Sequence, residues 1–97
     1  MKIFAIATRN PSKKPEDFAP LLDAEARKSL QFLAERRIDT IWSRHDGTGA
    51  VIEMEADSLE AAKAVMAEYP MLKAGLISFE YYPVRPYRGI VDAAKRF

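Results

Sequence analysis

Two extended runs, residues 38–45 and 50–56, flank Asp46-Gly47-Thr48-Gly49, and the Asp-Gly step inside that tetrapeptide is a strong short-range signal of a tight hairpin. A central hairpin commits the chain to an antiparallel sheet. Whatever precedes and follows it must pack on that sheet. Before it, residues 2–8 form a β-prone run that stops at Arg9-Asn10-Pro11-Ser12, a cluster of loop formers. Residues 17–37 then carry Phe18, Leu22, Ala26, Leu30 and Leu33 at three- and four-residue steps, the spacing of an amphipathic helix. Pro15 and Pro20 blur its start. After the hairpin, Asp57 or Ser58 is placed to cap a second helix, with Glu60 completing a capping-box pattern and Leu59, Ala62, Val65, Met66 and Tyr69 as its buried stripe. Pro70 ends that helix, and residues 76–82 read as a fourth strand.

The order βαββαβ predicts an α+β, ferredoxin-like domain: an antiparallel four-stranded sheet with both helices on one face. Residues 1–84 make that domain and residues 85–97 a C-terminal arm, kept extended by its prolines and placed to reach a partner. The other sheet face stays bare, and a second copy of the chain is the simplest cover, so a two-fold homodimer is expected. Ninety-seven residues suit a single domain with a modest core, which also favours a partner subunit. With 15 basic against 14 acidic side chains and no basic run, nucleic acid is not expected as a partner. The absence of cysteine excludes disulfides, thiolate metal sites and cysteine nucleophiles. One histidine and no ligand spacing among the carboxylates predict no metal, and the four glycines form no phosphate-binding loop. The apolar run 3–7 is too short for a signal peptide or a membrane span, so no membrane partner and a cytoplasmic location are expected.

For a hairpin loop of two or four residues, paired positions sum to 95, setting Trp42 opposite Glu53, Thr40 opposite Glu55 and Arg44 opposite Val51. Ile41, Ser43, Ile52, Met54 and Ala56 then lie under the helices, whereas Ala5 and Ala7 suit close helix packing and leave Phe4, Ile6 and Thr8 on the bare side. Strand four adds Ser78, Glu80 and Tyr82 to that side. The expected small-molecule pocket, between two sheet faces, is lined by Phe4, Ile6 and Trp42 with Arg44, Glu53, Glu80 and Tyr82 as polar groups and His45 at its rim. In it Glu53, desolvated beside Trp42, would be pushed up into the range of an acid–base catalyst, with Glu80 second, while Arg44 would hold an anionic oxygen. The plainer reading makes Arg44 and Glu53 an ion pair that sets register, Trp42 an interface residue, and His45-Asp46 part of the turn.

The segments Ile41-Trp42-Ser43-Arg44, Val51-Ile-Glu-Met-Glu-Ala-Asp-Ser-Leu-Glu-Ala-Ala and Glu68-Tyr-Pro-Met-Leu resemble the muconolactone isomerase family of the dimeric α/β-barrel group, over most of the chain. The resemblance implies ferredoxin-like protomers joined as a barrel-like dimer, sometimes in larger rings, and a proton moved along an unsaturated lactone without cofactor. It carries over no catalytic residue. The expected function is a cofactor-independent isomerase or cyclase acting on a small hydrophobic or carboxylated compound. The alternatives are a non-catalytic ligand-binding or auxiliary scaffold of the same fold, or a cofactor-free monooxygenase.

Overall fold

A computed structural model describes residues 1–96; the last residue of the expected arm, Phe97, lies outside them. Strands β1 (Lys2–Arg9), β2 (Thr40–Ser43), β3 (Gly49–Glu55) and β4 (Ile77–Val84) form one antiparallel sheet in the order β2-β3-β1-β4. This is the ferredoxin-like order, and the helices cover one face of it. Period-two alternation explains which face: Ile3, Ala5 and Ala7 are buried, as are Ile52 and Met54, while Phe4, Ile6, Val51 and Glu53 turn to the uncovered side.

The hairpin register differs from expectation. Thr40 pairs with Glu53, Ile41 with Ile52, Trp42 with Val51 and Ser43 with Ala50, so paired positions sum to 93. Arg44 donates its backbone N–H to Gly49 O at 2.8 Å, which extends the ladder by one step and leaves a four-residue loop, His45 to Thr48. A slip of two residues preserves parity. Trp42 and Glu53 therefore still share the uncovered face, although they are no longer opposite one another.

The first helical segment is broken where one continuous helix was expected. Helix α1 (Pro15–Phe18) passes through a 3₁₀ turn, Ala19–Leu21, into α2 (Leu22–Ala34). Pro20 in the 3₁₀ turn lacks an N–H for an α-helical bond, and the tighter turn resets the helical phase. In consequence only the first part of the expected apolar stripe turns inward: Phe18 is buried and Leu22 and Ala26 face the sheet side, but Leu30 is 66% exposed and Phe32, outside the expected stripe, is fully buried. Helix α2 ends in a Schellman motif, with Arg36 at φ 56°, Arg37 N–H on Phe32 O at 2.8 Å and Arg36 N–H on Leu33 O at 3.2 Å.

Helix α3 (Leu59–Met66) is capped by Ser58, whose hydroxyl accepts the Ala61 N–H at 3.1 Å. Pro70 then opens α4 (Pro70–Lys73) at its first position, where its missing N–H costs nothing. Ile3, Ala5, Phe32, Ile38, Ile52, Met54, Ala62, Met66 and Tyr69 form the main core. Phe18, Met71 and Leu76 form a smaller cluster at the other end. In the arm, residues Arg88–Ala94 form helix α5 instead of staying extended; it buries no residue and leaves Tyr87 and Ile90 exposed beside it and on it. The molecule is accordingly elongated, 56 × 27 × 20 Å.

Candidate functional site

Between α2 and the sheet lies a cavity of about 260 Å³, and its origin is a shortage of side-chain volume. Cross-strand pairing places Ser43 beside Ala50, Ala50 beside Ala7 and Ala7 beside Phe79, so three small residues stand in one row on the helix-facing side. Gly49 adjoins that row. Two rows further along, Ile3 and Met54 fill the same layer with large side chains. Helix α2 lays Leu22, Glu25, Ala26 and Ser29 over the gap, at steps i, i+3, i+4 and i+7 that define one helical face. Ala7 was expected to receive a closely packed helix; it floors a void instead.

The polar groups on this cavity are Glu25, Ser29, Ser43, Tyr69 and Arg9. Glu25 is half-buried and accepts the Met71 N–H at 2.9 Å, capping α4, which has no side-chain cap of its own. Burial pushes the Glu25 carboxyl above its ordinary range, against the opposing pull of that hydrogen bond. Tyr69 is 2% exposed, stacked edge-on to Phe32 with ring centroids 5.3 Å apart, and its hydroxyl lies 2.9 Å from Ser29 Oγ. Burial raises the phenol, the Ser29 hydrogen bond lowers it, and the negative charge of Glu25 raises it further. Carboxyl and phenol line the same cavity. The site therefore holds a carboxyl able to take or give a proton and a neutral phenol able to donate to an oxyanion. Sequence reasoning missed Glu25, Ser29 and Tyr69 as functional groups. A signal existed in the small residues Ala7, Ser43 and Ala50, but it emerges only once their strands are aligned.

The uncovered sheet face carries the residues expected from sequence, in different partnerships. Glu53 is bonded to Lys2 Nζ at 2.8 Å and to Thr40 Oγ1 at 3.2 Å, not to Arg44. Lys2 faces Glu55 in the register, and Glu53 lies two residues along on the same face. The Lys2 hydrogen bond, outweighing desolvation, holds Glu53 below its ordinary range, the reverse of the expected rise. Arg44 reaches across β3 to donate to Thr8 Oγ1 at 2.9 Å, with Asp46 at 4.0 Å. Tyr82 donates to Glu80 at 2.6 Å. Trp42 is 65% exposed, Phe4 and Ile6 are half-buried on the same face, and His45 is exposed in the hairpin loop. Among the described residues no three His, Asp or Glu side chains converge on a point where a metal ion would sit. No described helix is long and apolar enough to cross a membrane.

No protein-family model matches this sequence, and a comparison with curated proteins finds no match. Among solved structures, the chain is similar to a 5-chloro-2-hydroxyhydroquinone dehydrochlorinase from Burkholderia phenoliruptrix AC1100 in complex with 2,5-dihydroxybenzoquinone. The TM-score is 0.72 at 17% identity, over 92% of this chain and 98% of that one. A likeness this full in shape and this low in identity establishes the shared ferredoxin-like fold.

Proposed function

We propose that this chain is a cofactor-independent enzyme that moves a proton between two positions of a small oxygenated molecule, in the manner of an isomerase or cyclase, and that it works as a homodimer. The observation that carries the proposal is Glu25: a half-buried carboxyl with a raised pKa, opening on a cavity that also holds the Ser29–Tyr69 hydroxyl pair. Glu25 takes a proton from a carbon next to a carbonyl. Tyr69, kept neutral by burial, donates to the enolate oxygen, and Glu25 returns the proton elsewhere on the same molecule. The bound quinone of the structural neighbour belongs to the size class that such a cavity admits, and it supports a small-ring substrate.

Deuterium incorporation from D₂O tests this reading, with 2,5-dihydroxybenzoquinone and an unsaturated five-membered lactone acid as probes and proton NMR as the readout. Exchange above the buffer rate, lost in Glu25→Gln, is expected for at least one probe. Exchange at the buffer rate for both probes, or undiminished exchange in the variant, overturns it.

The bare sheet face serves as the dimer surface in this account. Phe4, Ile6, Val51, Trp42 and Tyr82 are its apolar part, and the Lys2–Glu53 and Arg44–Thr8 pairs its polar rim. The arm, with Tyr87 and Ile90 exposed, is placed against the partner. Sedimentation of the wild-type protein is expected to give a dimer, and Trp42→Glu a monomer with an unchanged circular dichroism spectrum. A wild-type monomer at tens of micromolar contradicts the pairing. A second reading, with the reacting space between the paired sheet faces and Glu53 and Glu80 as its acid–base groups, is favoured by the exposure of Trp42 and Tyr82 on one face. It predicts loss of turnover in Glu53→Gln instead.

A further inference from the structure

Arg9 closes β1 on the helix-facing side, in line with Ala5 and Ala7. Its guanidinium carbon sits over the buried Phe18 ring, 4.7 Å from the centroid, a cation–π contact that holds the group without using its hydrogen-bond donors. Among the described residues no carboxylate lies within ion-pair distance of it, and its side chain makes no hydrogen bond; only its backbone N–H is engaged, with Thr48 O at 2.7 Å. Arg9 borders two cavities. One is the chamber that holds Glu25 and Tyr69. The other, of about 310 Å³, is lined with Thr8, Asn10 and Ser78 on its polar side, and the two share Arg9 and Ile77 as a common wall.

A guanidinium held by stacking, with its hydrogen-bond donors unused, is suited to a planar oxygen acid gripped by two parallel bonds. The carboxyl of Glu25 in the same chamber repels a second negative charge, so a ligand anion belongs at the Arg9 end and an uncharged ring at the Glu25 end. From this geometry we infer that Arg9 is the substrate-anchoring residue of the helix-side cavity, and that the substrate is a small ring acid whose carboxylate or enolate oxygens dock on the guanidinium while its neutral carbon skeleton enters towards Glu25. The inference rests on the reading of that cavity as the reacting chamber. It adds a polarity to it: the acid group stays at the mouth and the C–H bond to be broken goes inward.

Benzoate and its neutral counterpart benzamide are the probes, followed by ¹H–¹⁵N spectra of the whole protein. Benzoate is expected to shift the Arg9 Nε–H and Met71 N–H signals. Its affinity should fall at least tenfold in Arg9→Met and less in Arg9→Lys, while benzamide binds all three proteins alike. Because Arg9 is exposed, the thermal midpoints of both variants stay within a few degrees of the wild type, which separates lost binding from lost folding. Equal benzoate affinity in wild type and Arg9→Met, shifts confined to the Trp42 side of the sheet, or no benzoate binding to the wild type each overturn the inference. If instead Glu25→Gln leaves deuterium incorporation intact while the benzoate results hold, the acid–base assignment fails and the anion subsite stands.

Discussion

Replacing Glu25 by glutamine is expected to lower proton transfer by about 10²–10⁴-fold, the usual contribution of a positioned acid–base group, or about 3–5 kcal/mol of transition-state stabilisation. Glutamine keeps an oxygen that accepts the Met71 N–H, so the cap on α4 survives and the loss is chemical, not structural. Stability should move the other way. A carboxyl whose folded pKa lies above its unfolded value contributes stability in full below the unfolded value, and that contribution disappears as pH rises through the folded value. At pH 7 the wild-type protein carries the residual cost of a half-buried charge, and the variant does not. Melting curves at pH 7 should therefore place Glu25→Gln at or above the wild type. A variant that loses activity and melts lower would assign Glu25 to structure alone.

Gly49→Ala is expected to have the largest effect on folding, about 3 kcal/mol from combined overpacking and backbone strain. Gly49 has φ 155°, and a Cβ there would overlap the Ala7 carbonyl, with Ala7 C at 2.7 Å and Thr8 Cα at 3.2 Å. All of these are backbone atoms of the adjoining strand, so relief requires β1 and β3 to separate. For a domain of this size the midpoint falls by roughly 15 °C. Gly47→Ala is the control: its φ of 76° carries a left-handed penalty of about 1–2 kcal/mol, but nothing lies within 4 Å of the added carbon. Thermal unfolding of the two variants side by side measures the clash apart from the φ preference. Equal midpoints would mean that the close approach of β1 to Gly49 does not restrain the fold.

What could be read from the sequence follows a physical division between local and aligned information. Strand faces survive because side chains alternate with period two, so a register displaced by two residues still puts Trp42, Glu53 and Arg44 on the uncovered face. The Ser58 cap is equally local and equally legible, whereas Pro70, expected to end the second helix, opens α4 after α3 has already stopped at Met66. The inward face of α2 is only partly legible, because the 3₁₀ turn at Ala19–Leu21 shifts its phase: Leu22 and Ala26 still line the cavity, but Glu25, Ser29 and Phe32 take the inner side in place of Leu30 and Leu33. The environment of Glu53 depends on Lys2, which is distant in sequence and adjacent only through β1–β3 pairing. The cavity is the strongest case, since Ala7 lies far along the chain from the hairpin residues Ser43 and Ala50, and the three become one gap only across three strands.

The carboxyl titrations of Glu25 and Glu53, followed by ¹³C NMR on the folded wild-type protein, test the central claim most directly. Desolvation in the helix-side cavity should bring Glu25 to a midpoint above the ordinary glutamate value, and the Lys2 hydrogen bond should bring Glu53 below it. A Glu25 midpoint at or below the ordinary value, with Glu53 raised in its place, would move the proton-transfer site to the opposite face of the sheet.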